Sequence, residues 1–334
     1  LLSVVVCWGC GPGGDAVECR GSGVLDTGGG TIEAGGVTIS ARPHDVYEPV
    51  RFQVAPTALP APLPAGLVLV GRPVDIDVDR GDQLALPVEI SMRYDDSGIA
   101  DESDLLVLHH DHRRGWESVT MLAHDMEANV ITFESRVFSP FVIAAIGIWP
   151  PDEFNVGFDP AVNGWNIVNF GCPYAREGQC LGMAAYACWC FTECHDYLHE
   201  KYDQESAVLT IIRAHQAQSQ FWALRKFNFQ QLLGPSRTGK LLRAYLYYTK
   251  DAQLFLACGN SGCHAMVAYG YEPDRFIFYD VNIKDTEQQV SFTNGRFGQY
   301  GSFDRFGYVG SPSLGRMEDF GDLTAQATGG FKEA

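Results

Sequence analysis

The chain has 334 residues, of which 46% are hydrophobic and 19% charged, the profile of a globular protein with room for two separate cores. A formal net charge of −17 argues against nucleic acid or an anionic membrane surface as partner, since both select basic proteins. Ten cysteines permit disulfides if the chain is exported, and they leave the compartment open on their own.

In chain order, Leu1 to Trp8 is an apolar run too short to span a bilayer. It has no initiating Met and no basic n-region, and it reads as the end of a signal peptide. Gly9-Cys10, followed by Gly11-Pro12-Gly13-Gly14, resembles a bacterial lipobox. That resemblance implies lipidation of Cys10, with plain secretion as the alternative, and a lipid would tether the chain rather than span the membrane. The Gly-rich stretch from Gly11 to Gly36 reads as a flexible tether. Residues 1–27 are thus expected to be the signal-peptide end, lipobox and tether.

Residues 28–146 read as all-β. Short runs recur at Gly36–Ser40, Val50–Val54, Val74–Val78, Leu86–Met92, Leu105–His109, Trp116–Met121, Val130–Phe133 and Phe141–Ile146, punctuated by Pro, Gly, Asn and Asp. Eight strands at this spacing predict a β-sandwich. Gly29-Gly30-Thr31-Ile32, Pro87-Val88-Glu89-Ile90 with Tyr94-Asp95, and Phe138-Ser139-Pro140-Phe141-Val142 resemble the ZU5-like modules of bacterial surface proteins. The resemblance implies a structural or interaction unit. His109, His110 and His112, with Asp111, form its metal-like cluster, and they read as a polar loop edge rather than a site. No catalysis is assigned to this segment. Residues 147–158, with Pro150-Pro151, read as a linker, and 159–334 as a second domain.

In that second domain Gly178 ends an irregular stretch. Small or apolar residues then recur at Cys180, Ala184, Ala187, Phe191, Cys194 and Leu198, the spacing of a helical face. Cys180 falls in the first turn, where free N–H groups and the helix dipole favour a thiolate. Gly182 allows close approach by another segment. Cys188 is a rival nucleophile, but it lies about two turns into the helix and lacks the preceding glycine loop. A second helix is predicted between Ser206 and Phe227. His215 on it is the leading competitor for a base, and a helical His on an apolar face is more often a core residue. Cys258 and Cys263 flank a short loop and are candidates to pair if geometry allows. His264 opens an apolar run to Tyr271. A turn at Glu272-Pro273-Asp274 follows, then a second run, Arg275 to Tyr279, ending at Asp280. This pattern predicts a hairpin that brings His264 and Asp280 together. Nucleophile, base and orienting carboxylate are then Cys180, His264 and Asp280.

Three strings, Gly178-Gln179-Cys180-Leu181-Gly182-Met183, His264-Ala265-Met266-Val267-Ala268-Tyr269-Gly270-Tyr271 and Tyr279-Asp280-Val281-Asn282, resemble a divergent bacterial group of papain-like cysteine peptidases over about residues 160–310. The sixteen-residue step from His264 to Asp280 is similar to the His-to-Asn step of papain. The step from Cys180 to His264 is 84 residues, shorter than the roughly 130–150 of papain and cathepsins. The resemblance implies an α+β papain-like domain behind the all-β sandwich, a protein or peptide substrate and no cofactor or metal. Papain-like enzymes carry a Gln six residues before the nucleophile for the oxyanion; here Tyr174 stands there. Asn169 and Gln179 are the candidates for that role. An acyltransferase, transglutaminase or amidase with the same triad, and a silent surface-binding module, are the competing classes.

Overall fold

The computed structural model describes residues 6–8, 20–79, 83–170, 178–194, 198–218 and 220–311. The chain divides into two compact units, Leu1–Trp149 and Pro150–Ala334.

Among the described residues the first unit consists of two antiparallel sheets. One sheet has seven strands in the order Val6–Trp8, Arg20–Leu25, Val50–Pro56, Leu67–Val78, Pro140–Ile146, Leu105–Asp111 and Gly115–Val119. The other has five, in the order Met121–Asp125, Val130–Val137, Gln83–Arg93, Val37–Ala41 and Gly30–Ala34. Alternation puts one face of each strand inside: along Val50–Pro56, Val50, Phe52 and Val54 are buried while Arg51 and Gln53 are exposed. Aromatic contacts join the inner faces, with Phe133 of the five-stranded sheet 5.2 Å from Phe141 of the seven-stranded one.

The tether reading of 11–36 is corrected over its described part, which forms the strands Arg20–Leu25 and Gly30–Ala34. The glycines here serve packing rather than flexibility. A Cβ at Gly21 would stand 2.4 Å from the Ala34 Cβ, and one at Gly23 would stand 2.7 Å from the Ile32 side chain. Cys10 lies outside the described residues.

The second unit has five helices among the described residues: α1 Pro160–Asn163, α2 Cys180–Cys194, α3 Gln204–Gln218, α4 Gln220–Leu233 and α5 Pro235–Thr249. The single helix expected between Ser206 and Phe227 is thus two, α3 and α4. Six strands follow. They pair antiparallel in the order Arg296–Phe297, Glu287–Thr293, Arg275–Asp280, Gly262–Glu272, Gln253–Gly259 and Arg305–Gly310, and the short Phe154–Asn155 strand pairs with Gly262–Glu272.

The expected combination of an all-β sandwich and a C-terminal α+β papain-like domain is overturned. Among the described residues the protein is mostly β, 44% strand against 24% helix, and the helices sit in the middle of the chain between blocks of strands. The physical reason is that the strands extend beyond the expected His264–Asp280 hairpin, because the apolar, β-branched and aromatic runs Gln253–Gly259, Glu287–Thr293 and Arg305–Gly310 join it in one sheet.

Helix α2 is buried on every side from Leu181 to Cys190, not along one stripe. It packs between α3 and the sheet, so its apolar sequence has no polar face. Gly182 marks the contact with α3: a Cβ there would stand 2.2 Å from the Ile211 carbonyl oxygen.

Candidate active site

The site is assembled where the N-terminus of α2 meets the strand Gly262–Glu272. Cys180 is the first residue of α2, and the Gln179 carbonyl accepts the Met183 N–H at 3.0 Å. Cys180 is half-buried and its thiol is free. His264 sits two residues into its strand, 5% exposed, and Asp280 closes the next strand, 3% exposed.

The hairpin register explains why His264 and Asp280 face each other. At the turn Glu272 pairs with Arg275, and unbroken pairing from there would set Asp280 opposite Val267, on the face away from His264. A register shift between Ala268 and Gly270 moves the pairing by one residue, so Asp280 lies opposite Met266 and shares the face of His264. His264 Nε2 then donates to Asp280 Oδ1 at 2.7 Å.

Nε2 is committed to Asp280, so Nδ1 is the ring nitrogen left for the Cys180 thiol, to which His264 is hydrogen-bonded. Burial works against the thiolate. The hydrogen bond and charge of His264, and the backbone N–H groups of Ala265 and Leu181, outweigh it and hold the Cys180 thiol below its ordinary value. Burial likewise opposes imidazolium, but bonds and charge from Asp280 and Cys180 lift His264 to about 9. Asp280 is lowered, because His264, Tyr300 and the Asn282 N–H together overcome its burial. The group is built to hold a thiolate–imidazolium pair.

Two residues absent from the sequence reading complete the surroundings of the base. The Tyr300 hydroxyl donates to Asp280 Oδ2 at 2.7 Å. The Phe303 ring lies nearly parallel to the His264 ring, centroids 5.9 Å apart at 16°. Both come from one tight turn closed by reciprocal backbone bonds, Tyr300 N–H to Phe303 O at 3.0 Å and Phe303 N–H to Tyr300 O at 2.9 Å. An aromatic residue at each end of Tyr300-Gly301-Ser302-Phe303 was the available signal, but nothing local ties that turn to Asp280. Just before His264, Cys258 and Cys263 form a disulfide between directly paired strand positions.

Asn282 approaches the same base. Its backbone N–H donates to Asp280 Oδ1 at 2.8 Å, and its amide lies 3.2 Å from His264 Nε2. A protonated Nε2 has no acceptor to offer an amide N–H, so the amide orientation with its oxygen toward the ring satisfies this contact.

The oxyanion candidates occupy different positions. Asn169 Oδ1 accepts the Gln179 N–H at 2.6 Å, and the Asn169 N–H donates to Val281 O at 3.0 Å, so Asn169 braces the entry to α2 against the hairpin end. The Gln179 side chain is fully enclosed and its amide has no hydrogen-bond partner. Cys188 is also enclosed, donates to the Ala252 carbonyl at 3.0 Å, and is pushed far above its ordinary value by burial. His215 packs beside Gly182 on α3, and burial pushes it down. Among the described residues no group of three or more His, Cys, Asp or Glu is placed to hold a metal ion.

No protein-family model matches the chain, and no curated protein matches it.

Proposed function

We propose that this chain is a cysteine peptidase that hydrolyses a peptide or isopeptide bond through Cys180, His264 and Asp280. The observation that carries the reading is the 2.7 Å bond from His264 Nε2 to Asp280 Oδ1, made beside a half-buried thiol held below its ordinary value. The Cys180 thiolate attacks the carbonyl carbon, and the carbonyl electrons move onto oxygen. The dipole at the N-terminus of α2 favours that developing charge. His264, as imidazolium, gives its Nδ1 proton to the leaving amine. It then takes a proton from the water that releases the acyl group from sulfur. Asp280 keeps the ring oriented and favours its charged form throughout.

An exported setting is the companion proposal. The Cys258–Cys263 disulfide supports it, because such bonds persist in oxidising compartments.

The direct test is iodoacetamide labelling at pH 6 followed by peptide mapping. Cys180 is expected to carry nearly all the label and His264→Ala to lose most of it. Labelling of Cys188 or Cys190 ahead of Cys180 overturns the assignment.

A further inference from the structure

His264 stands beside the tip of a hairpin, and that tip carries the Cys258–Cys263 disulfide. The strands Gln253–Gly259 and Gly262–Glu272 stay in register to their ends. Ala257 pairs with His264, Cys258 with Cys263 and Gly259 with Gly262, which leaves Asn260 and Ser261 as the turn. Side chains alternate along a strand, so the Cys263 sulfur leaves on the face opposite His264. The disulfide thus lies behind the base, away from the side on which His264 is hydrogen-bonded to Cys180.

Without that bond the tip is weak. Asn260, Ser261, Gly262 and Cys263 are exposed, and the paired Gly259 and Gly262 bring no side chain to pack. The bond from buried Cys258 to exposed Cys263 closes the outer end of the ladder.

The tip is also the seat of the turn that serves the base. The Asp304 N–H donates to Cys258 O at 3.2 Å, and the Arg305 guanidinium donates to Gly259 O at 3.1 Å. Gly259 lies so close to Ser302 that a Cβ on it would stand 2.4 Å from the Ser302 carbonyl oxygen. Ser302 and Asp304 flank Phe303, whose ring lies along His264, and Tyr300 of the same turn donates to Asp280. Contacts therefore run from the disulfide through Cys258 and Gly259 to the turn, and from the turn to both His264 and Asp280.

We propose that the Cys258–Cys263 disulfide is a positioning device for His264, and that its oxidation state sets the reactivity of Cys180. This role rests on the peptidase reading, because it concerns the same base. Oxidation joins the two sulfurs, releases two protons and passes two electrons to a disulfide, small or protein-borne, which leaves as two thiols. With the bond made, the tip holds Ser302 and Asp304, Tyr300 stays on Asp280 and Phe303 stays on His264. With the bond opened at the exposed Cys263, the glycine-rich tip frays and the turn loses its seat. His264 then loses its fixed ring orientation and part of the support that Asp280 gives its charged form, and the Cys180 thiol ionises less readily. Cys180, Asp280 and Tyr300 are the titratable groups set about His264 from α2, the neighbouring strand and the turn. None of them is altered chemically by the switch. An oxidising compartment makes the bond, so the site is completed there.

The test follows iodoacetamide labelling of Cys180 across pH 5 to 9, with peptide mapping, on the full chain. The oxidised parent is compared with the parent after dithiothreitol treatment and removal, and with the double variant Cys258→Ala, Cys263→Ala. Reduction and the double substitution are each expected to slow Cys180 labelling at pH 6 at least about threefold and to move its profile to higher pH, as loss of a donor to a buried carboxylate does. Circular dichroism is expected to stay unchanged. Turnover of a peptide substrate is expected to fall by the same factor with KM unchanged. Gly259→Ala keeps the disulfide but displaces Ser302, and it is expected to reproduce the slowing in the oxidised state. A Cys180 profile that superimposes in the oxidised, reduced and doubly substituted chains overturns the proposal and leaves the peptidase reading intact. So does a Gly259→Ala chain as reactive as the parent. An oxidised parent in which Cys180 is not labelled ahead of Cys188 and Cys190 overturns the peptidase reading, and the role of the disulfide with it.

Discussion

Tyr300 donates its hydroxyl to Asp280 Oδ2 at 2.7 Å, the carboxylate oxygen that His264 leaves free. Asp280 thus receives a different donor on each oxygen. Its ability to hold imidazolium depends on a residue twenty positions away in the chain. The same turn lays Phe303 along the His264 ring, so it governs both the charge and the orientation of the base.

Substituting Tyr300 by Phe removes one donor to a buried carboxylate. Such a bond contributes about 1.5–3 kcal/mol at most, because its acceptor is charged. Asp280 is expected to rise and His264 to fall, moving the alkaline limb of the activity profile to lower pH. Turnover is expected to fall about threefold to thirtyfold, with the fold intact. A pH–rate profile of Tyr300→Phe that superimposes on the parent's removes this role from Tyr300.

Asp280 and Asn282 both touch His264, and their substitutions separate the two contributions. Asp280→Ala is expected to lower turnover at least about tenfold, which corresponds to about 1.4 kcal/mol of barrier. Asp280→Asn is expected to be milder, since an amide oxygen still accepts from Nε2–H. Asn282→Ala is expected to matter less, because its amide is exposed and 3.2 Å away. Steady-state kinetics of the three variants on one peptide substrate decides the order, and a larger loss in Asn282→Ala moves the orienting role there.

The pH dependence follows from the two shifted groups. Cys180 ionises below its ordinary value, and His264 keeps its proton up to about 9. Activity is expected to rise on a limb below the ordinary thiol range of about 8.5 and to fall again near pH 9. Stability follows the histidine. Its folded value lies above the ordinary value of about 6.5, so the stabilisation is full below that pH and is lost as pH rises through about 9. Thermal midpoints of the parent and His264→Ala are expected to converge across that window. A gap that stays constant from pH 6 to pH 10 contradicts it.

Gly182 carries a prediction independent of any activity. A Cβ there would stand 2.2 Å from the Ile211 backbone oxygen and 3.0 Å from the His215 Cβ. Alanine, though a better helix former, is therefore expected to destabilise the protein by about 1–3 kcal/mol by pushing α3 away from α2. Chemical denaturation of Gly182→Ala checks this, and an unchanged midpoint shows that α3 yields without cost.

The parts of this protein that the sequence determined by itself are its local ones. The start of α2 at Cys180 follows from the glycine before it and the apolar spacing after it. The hairpin joining His264 to Asp280 is a short-range structure announced by its turn residues. The β runs of the first unit were legible because alternation is written in neighbouring residues. What only the tertiary structure decided depends on contacts between distant segments. The balance of strand and helix in the second unit was set by how its last runs paired into a sheet. Gly21 and Gly23 read as tether until Ala34 and Ile32 packed on them. The bulge that turns Asp280 toward His264 and the Tyr300 bond have no local pattern. Register across strands creates them, and register is fixed by which faces the folded sheets bury.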